Sequence, residues 1–133
     1  VSESDSKHTL VTSEDLPSPL GPYSAGVTLG DLIFVSGQGA VDPKTGELAG
    51  PDVASQTEQV FKNIETILKA AGSDLKHILR CGVFLADIDE FSKMNTVYER
   101  MMDGHKPART TVQAGALPMK GLRVEIDAIA YKK

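Results

Sequence analysis

The sequence predicts an α+β sandwich, a six-stranded mixed sheet with two helices packed on one of its faces. Three observations predict it. Several short runs alternate apolar and polar residues, as half-buried strands do, while two longer runs repeat their apolar residues at threes and fours, as helices do. The runs follow one another as strands, helix, strand, helix and two strands, with no internal repeat. At 133 residues the chain suffices for one core and is short for two.

Residues 1–7 are rich in serine and charge, without apolar periodicity, and read as a frayed tail ahead of a single domain over 8–133. A strand can begin within His8 to Thr12. Leu16 to Pro22 holds three prolines, which forbid regular structure and keep the backbone extended up to Tyr23. Ser24 to Leu29 and Leu32 to Ser36 are strand-like, and the intervening Gly30-Asp31 suits a tight hairpin. Ser36-Gly37-Gln38-Gly39 lacks the Lys-Ser/Thr ending of a phosphate loop and opens no helix, so its glycines are read as permitting close approach of a ligand or another chain. Asp42 to Gly46 forms a turn.

Asp52 to Gly72 carries the strongest helical pattern, with Val53, Thr57, Val60, Ile64, Ile67, Leu68 and Ala71 on one face. Asp52 is placed to cap its start and Gly72 to end it. Ile78 to Ala86 reads as a strand. The second helix opens at Asp87 with Glu90 as a capping box and buries Ile88, Phe91, Met94, Val97, Tyr98 and Met101. Asn95 sits among these and needs a partner. The last two strands are 109–114, with Arg109 and Thr111 on a common face, and 122–130, with Glu125 opposite the apolar face.

Hydrophobic residues at 41% and charged residues at 24% are the balance of a globular protein, and no apolar run reaches the roughly 20 residues of a membrane span. A net charge of −4 argues against a nucleic-acid partner. The single Cys81 excludes an internal disulfide, fits a reducing compartment, and reads as packed core rather than as a nucleophile. That compartment is taken as cytoplasmic or an organelle such as the mitochondrion; the start at Val1 leaves room for a removed targeting segment. No Cys/His cluster has metal-ligand spacing, so neither metal nor cofactor is assigned.

Arg109 and Glu125 are the charged pair whose placement suggests a small-molecule site. Both are assigned to the sheet face left bare by the helices, together with threonines and serines of the hairpin, and self-association is the economical cover for that face. An exposed ion pair is the competing reading, worth about 0–1 kcal/mol. Tyr23 is open in the same way between a pocket wall and a cover for the sheet edge.

The residues Gly21-Pro22-Tyr23-Ser24, Phe34-Val35-Ser36-Gly37-Gln38, Asp42-Pro43-Lys44-Thr45-Gly46, Phe84-Leu85-Ala86-Asp87 with Asn95 and Tyr98, Pro107-Ala108-Arg109 and Val124-Glu125-Ile126-Asp127-Ala128 resemble, in order and over nearly the whole chain, the reactive intermediate deaminase family (RidA, also YjgF). The resemblance implies a chorismate-mutase-like fold, a homotrimer with ligand pockets at subunit interfaces, and hydrolysis of 2-imino acids to 2-oxo acids and ammonia without a cofactor. It implies Arg109 as the carboxylate anchor, Glu125 as the group that orients the attacking water, and Tyr23, Ser36, Gly37, Asn95 and Thr111 as substrate contacts. Two departures stand out. Thr111 replaces a frequent cysteine whose backbone carbonyl matters most, and the segment 103–106 is short, with His105 and Lys106 where an aromatic often stands. His105 reads as a solvated loop residue, with an added acid or base as the other reading. Alternatives to the enzyme are a non-catalytic 2-oxo acid or carboxylate sensor, a ribonuclease or translation inhibitor, and a chaperone.

Overall fold

The computed structural model describes residues 7–16 and 19–133. The expected tail lies outside the described residues apart from Lys7, as do two positions of the 16–22 segment. Six strands form one sheet: β1 (His8–Val11), β2 (Gly26–Leu29), β3 (Leu32–Gln38), β4 (Ile78–Leu85), β5 (Ala108–Gln113) and β6 (Val124–Tyr131). Their spatial order is β1-β2-β3-β6-β4-β5, with β4 and β5 parallel and the other neighbours antiparallel. The two α-helices are α1 (Val53–Ala70) and α2 (Phe91–Met102).

Both helices pack on one face. Phe61, Ile64, Ile67 and Leu68 of α1 and Met94 and Met102 of α2 share a single core with Ile33, Val35, Cys81, Val83, Leu85, Val124, Ile126, Ala128 and Ala130 of the strands. The hairpin forms at Gly30, whose φ of +60° only glycine adopts freely. Asp52 caps α1, accepting from the Ser55 backbone at 3.0 Å, and Gly72 follows its end at φ +84°.

The expected capping box does not form. Asp87 instead caps a short 3₁₀ turn, Ile88–Glu90, by accepting from the Asp89 backbone at 2.9 Å. Glu90 is drawn to Arg123, whose Nε donates to it at 2.9 Å, because a charge-assisted bond outcompetes the reach back to a backbone amide. Since α2 then starts at Phe91, Ile88 and Phe91 stay exposed and Met102 fills the buried position.

The uncovered sheet face is more apolar than expected, although Glu125, Asp127, Thr110 and Arg80 also lie on it. Pairing registers align Leu10, Val27, Phe34 and Ile129 in one row across four strands, and Glu125, Phe84 and Val112 in another. Phe34 is 41% exposed and Leu10 46%.

Candidate functional site

The site begins where β3 departs from regular pairing. Its register against β6 shifts between Val35 and Gln38, so Ser36 and Gly37 form a bulge beside Glu125. A Cβ on Gly37 would lie 2.2 Å from Glu125 Oε1, so the carboxylate rests directly on the glycine backbone. The close approach expected of these glycines is therefore to side chains of β6 and its lead-in, since Gly39 likewise leaves room for Leu122. Ser36 Oγ donates to the Ser24 carbonyl at 2.6 Å, which ties the hairpin to the segment after Tyr23.

Glu125 lines a cavity of about 310 Å³ together with Tyr23, Gly37, Gln38, Leu20, Met119 and Leu122. Two fully or almost fully buried amides of α1 hold its walls. Asn63 donates to the carbonyls of Gly39 and Val41, at 3.3 and 2.8 Å. Gln56 donates to the carbonyls of Gly50 and Gly121 and accepts from the Arg123 backbone, at 2.8, 2.9 and 2.7 Å. Glu125 itself is half-buried, and burial first, then the neighbouring Asp127 charge, push its pKa above the ordinary glutamate value. Asp127 is fixed by accepting from the Gly82 backbone at 2.9 Å.

Arg109 lies elsewhere. Cys81 pairs with Arg109 on one side and Ala128 on the other, and Cys81 and Ala128 are core residues, so Arg109 points to the helix side of the sheet. Glu125 pairs with Phe84, which in turn pairs with Val112, on the opposite side. The expectation that both share the bare face is corrected: β5 runs parallel beside β4, and that register sets the parity of Arg109. Arg109 donates from Nη1 to Asn95 Oδ1 at 2.8 Å and lines a second cavity of about 240 Å³ with Tyr98, His105, Lys106 and Pro107. The exposed ion-pair reading thus fails as well.

Thr111 shares the side of Arg109, and its hydroxyl is buried without a hydrogen-bond partner among the described residues. His105 Nε2 lies 2.7 Å from the Ile78 carbonyl, which makes that nitrogen the protonated donor. Burial raises the Cys81 thiol to about 11, in keeping with a packed residue. Among the described residues no cluster of three or more His, Cys, Asp or Glu could hold a metal, and no helix is long and apolar enough to cross a membrane. Asp127, Gln38 and Leu122 were not marked by the sequence as site residues; their positions within three residues of Gly37 or of Glu125 were the only signal.

One surface of the molecule thus carries an acid beside Tyr23 and Gly37, and the other an arginine held by Asn95. The sequence profile of the Endoribonuclease L-PSP family, to which the YjgF and RidA proteins belong, matches residues 13–132. The chain belongs to this RidA/YjgF family. A RutC family protein of Pyrococcus horikoshii is 44% identical over 124 residues, 93% of this chain and 98% of that protein. The 2-iminobutanoate/2-iminopropanoate deaminase of Homo sapiens is 40% identical over 123 residues, 92% of this chain and 89% of that one. The crystal structure of the YjgF gene product from E. coli superposes with a TM-score of 0.88 at 39% identity, covering 94% of this chain and 99% of that one. The RidA-type sandwich expected from the sequence is the fold observed.

Proposed function

We propose that this RidA-family chain hydrolyses reactive 2-imino acids, 2-iminopropanoate and 2-iminobutanoate among them, to 2-oxo acids and ammonia, in a homotrimer whose sites lie between subunits. The observation that carries this reading is the split of the site. Glu125 and Arg109 line separate cavities on opposite faces of the sheet, which supports a reading in which each is completed by a neighbouring subunit. Arg109 stands on the edge strand β5, where it can reach a neighbour, and Glu125 stands on the bare apolar face, where a neighbour must sit. A cyclic assembly satisfies both needs at once, since each subunit gives its Arg109 edge to one neighbour and its Glu125 face to the other.

In that arrangement Arg109 binds the substrate carboxylate. Its planar guanidinium makes two parallel charge-assisted bonds and so fixes the orientation of the imine carbon. Glu125 of the adjoining subunit orients a water and takes one of its protons as the water oxygen bonds to that carbon and the C=N π electrons move to nitrogen. Glu125 passes that proton to the nitrogen, takes the hydroxyl proton as the C=O forms and hands it to the nitrogen in turn, so that the C–N bond breaks and ammonia, carrying both water protons, leaves with the 2-oxo acid. Burial and the Asp127 charge raise the pKa of Glu125, which makes its carboxylate a stronger proton acceptor. Tyr23 and Gly37 wall the cavity, and Thr111 offers its carbonyl and free hydroxyl beside Arg109. Positioning supplies most of the acceleration, because an imine is already electrophilic.

Mixing variants tests the reading. Arg109→Ala and Glu125→Gln are each inactive alone, and a refolded mixture regains imine hydrolysis, about a quarter of full sites at random assembly. No recovery in the mixture would overturn the shared site. Tight 2-oxo acid binding with no imine turnover would favour a carboxylate sensor instead.

A further inference from the structure

The cavity around Arg109 holds a feature that carboxylate binding alone does not account for. Phe91, Asn95 and Tyr98 occupy positions i, i+4 and i+7 of α2 and so share one helix face. All three meet the same guanidinium. The Cζ of Arg109 lies 4.7 Å from the Tyr98 ring centre and 5.4 Å from that of Phe91, while Asn95 takes one Nη1 hydrogen. Tyr98 is buried and meets Phe61 of α1 edge-on, with centroids 5.3 Å apart and an interplanar angle of 79°, so its ring cannot swing away. Its hydroxyl has no partner at ordinary hydrogen-bond distance among the described residues and lies near Cys81 and Arg109, while the ring itself stands against the guanidinium.

We infer that Phe91 and Tyr98 are positioning residues for Arg109: their two ring faces, with the Asn95 amide, hold the guanidinium in one plane and leave the hydrogens not taken by Asn95 free for a substrate carboxylate. The inference rests on the deaminase reading for its substrate but not for its geometry. Both rings supply negative potential to the cation, which favours contact at this separation. Asn95 leaves four of the five guanidinium hydrogens, and a carboxylate uses two. The cradle therefore reduces the orientational freedom lost on binding rather than competing for the ligand. Because the carboxylate is bound alike in substrate and transition state, loss of the cradle raises KM and leaves kcat nearly constant.

Phe91 is 37% exposed, so its replacement tests the cradle without threatening the core. Phe91→Leu is expected to raise KM for 2-iminobutanoate about three- to thirtyfold with kcat within about twofold. A series of progressively fluorinated phenylalanines at position 91 should raise KM stepwise, since fluorine drains the ring face while keeping its shape. A second readout needs no ligand: NMR of ¹⁵N-labelled arginine measures rotation about the Arg109 Nε–Cζ bond, expected slow in the wild type and faster in Phe91→Leu. A KM indifferent to fluorination, or a rotation rate unchanged in Phe91→Leu, overturns the inference. A wild type that hydrolyses no imine yet shows the rotation change supports the cradle and sinks the deaminase reading.

Discussion

Replacing Gly37 with alanine separates the chemistry of the site from the stability of the fold. The φ of Gly37 is not positive, so its backbone accepts an L side chain. The added Cβ would, however, lie 2.2 Å from Glu125 Oε1, 3.1 Å from Cδ and 3.3 Å from Cγ. Ordinary contact begins near 3.4 Å, so the carboxylate must retreat by about 1.2 Å. The moving atoms are the far end of a flexible side chain, and an off-rotamer χ angle costs about 0.5–1.5 kcal/mol. In a domain of this size such a loss lowers Tm by a few degrees, on the order of 2–8 °C. A displacement of about 1 Å in the group that orients water can cost on the order of 100-fold in rate. The assay couples a threonine or serine dehydratase, which releases the imine, to the loss of that imine with and without the variant. Gly37→Ala should fold and lose most of its activity. Full activity would refute the placement of Glu125 against this glycine as part of the chemistry, and a loss of activity matched by unfolding would refute the claim that the two are separable.

Arg109→Lys should lose on the order of 10- to 100-fold in kcat/KM, because an ammonium cannot make the paired bonds, and Arg109→Ala more; full activity in Arg109→Ala would remove the carboxylate role. Glu125 must be ionised to accept the proton, so the rate should rise with pH through its raised pKa, on the acid side of the profile and above the ordinary value of 4.5. Asp127→Asn keeps the acceptor for Gly82 but removes the second cause of that shift, and should move the limb to lower pH. A carboxylate with a raised pKa adds stability only below its unfolded value and loses it as pH rises, so Glu125→Gln should be at least as stable as wild type at pH 7 by urea denaturation. Asp74 has the opposite sign: His77 first, then Lys133, lower it to about 2, so its contribution is present above 3.8 and vanishes as pH falls through about 2. The Tm gap between wild type and Asp74→Asn should therefore close between those values. Phe34→Asp, on the bare face, should yield monomers by light scattering and abolish activity with Arg109 and Glu125 unchanged.

Much of the fold was legible because burial leaves a periodic trace. The run from Val53 to Ala71 marks α1 to within a residue or two, and the Gly30 hairpin and the alternation over 124–130 appear where expected. The capping box at Asp87 misled because Glu90 has two possible partners, and Arg123 is distant in sequence but close in space. The apolar character of the bare face was also hidden. Phe34, Val112 and Leu10 sit in runs dense with apolar residues, and a strand with apolar residues on both sides does not announce which of them is covered.

Residue type and local spacing were enough to single out Arg109 and Glu125 and to mark Asn95 as an amide in need of a partner, because a guanidinium inside a strand, a glutamate on a polar strand face and an amide among apolar helix positions are each unusual in themselves, whereas Gly37 entered the site through the family resemblance. Local pattern also carried the alternation that groups Arg109 with Thr111. It could not say which side of the sheet that group faces, since alternation has two phases and only pairing with another strand selects one. The parallel register of β5 on β4 made that selection: it put Arg109 against Phe91, Asn95 and Tyr98 and left Glu125 on the other side with Tyr23 and Gly37. Tertiary structure thus decided that Arg109 and Glu125 stand on opposite faces of one sheet, because strand order and register arise from long-range contacts that no window of the sequence contains.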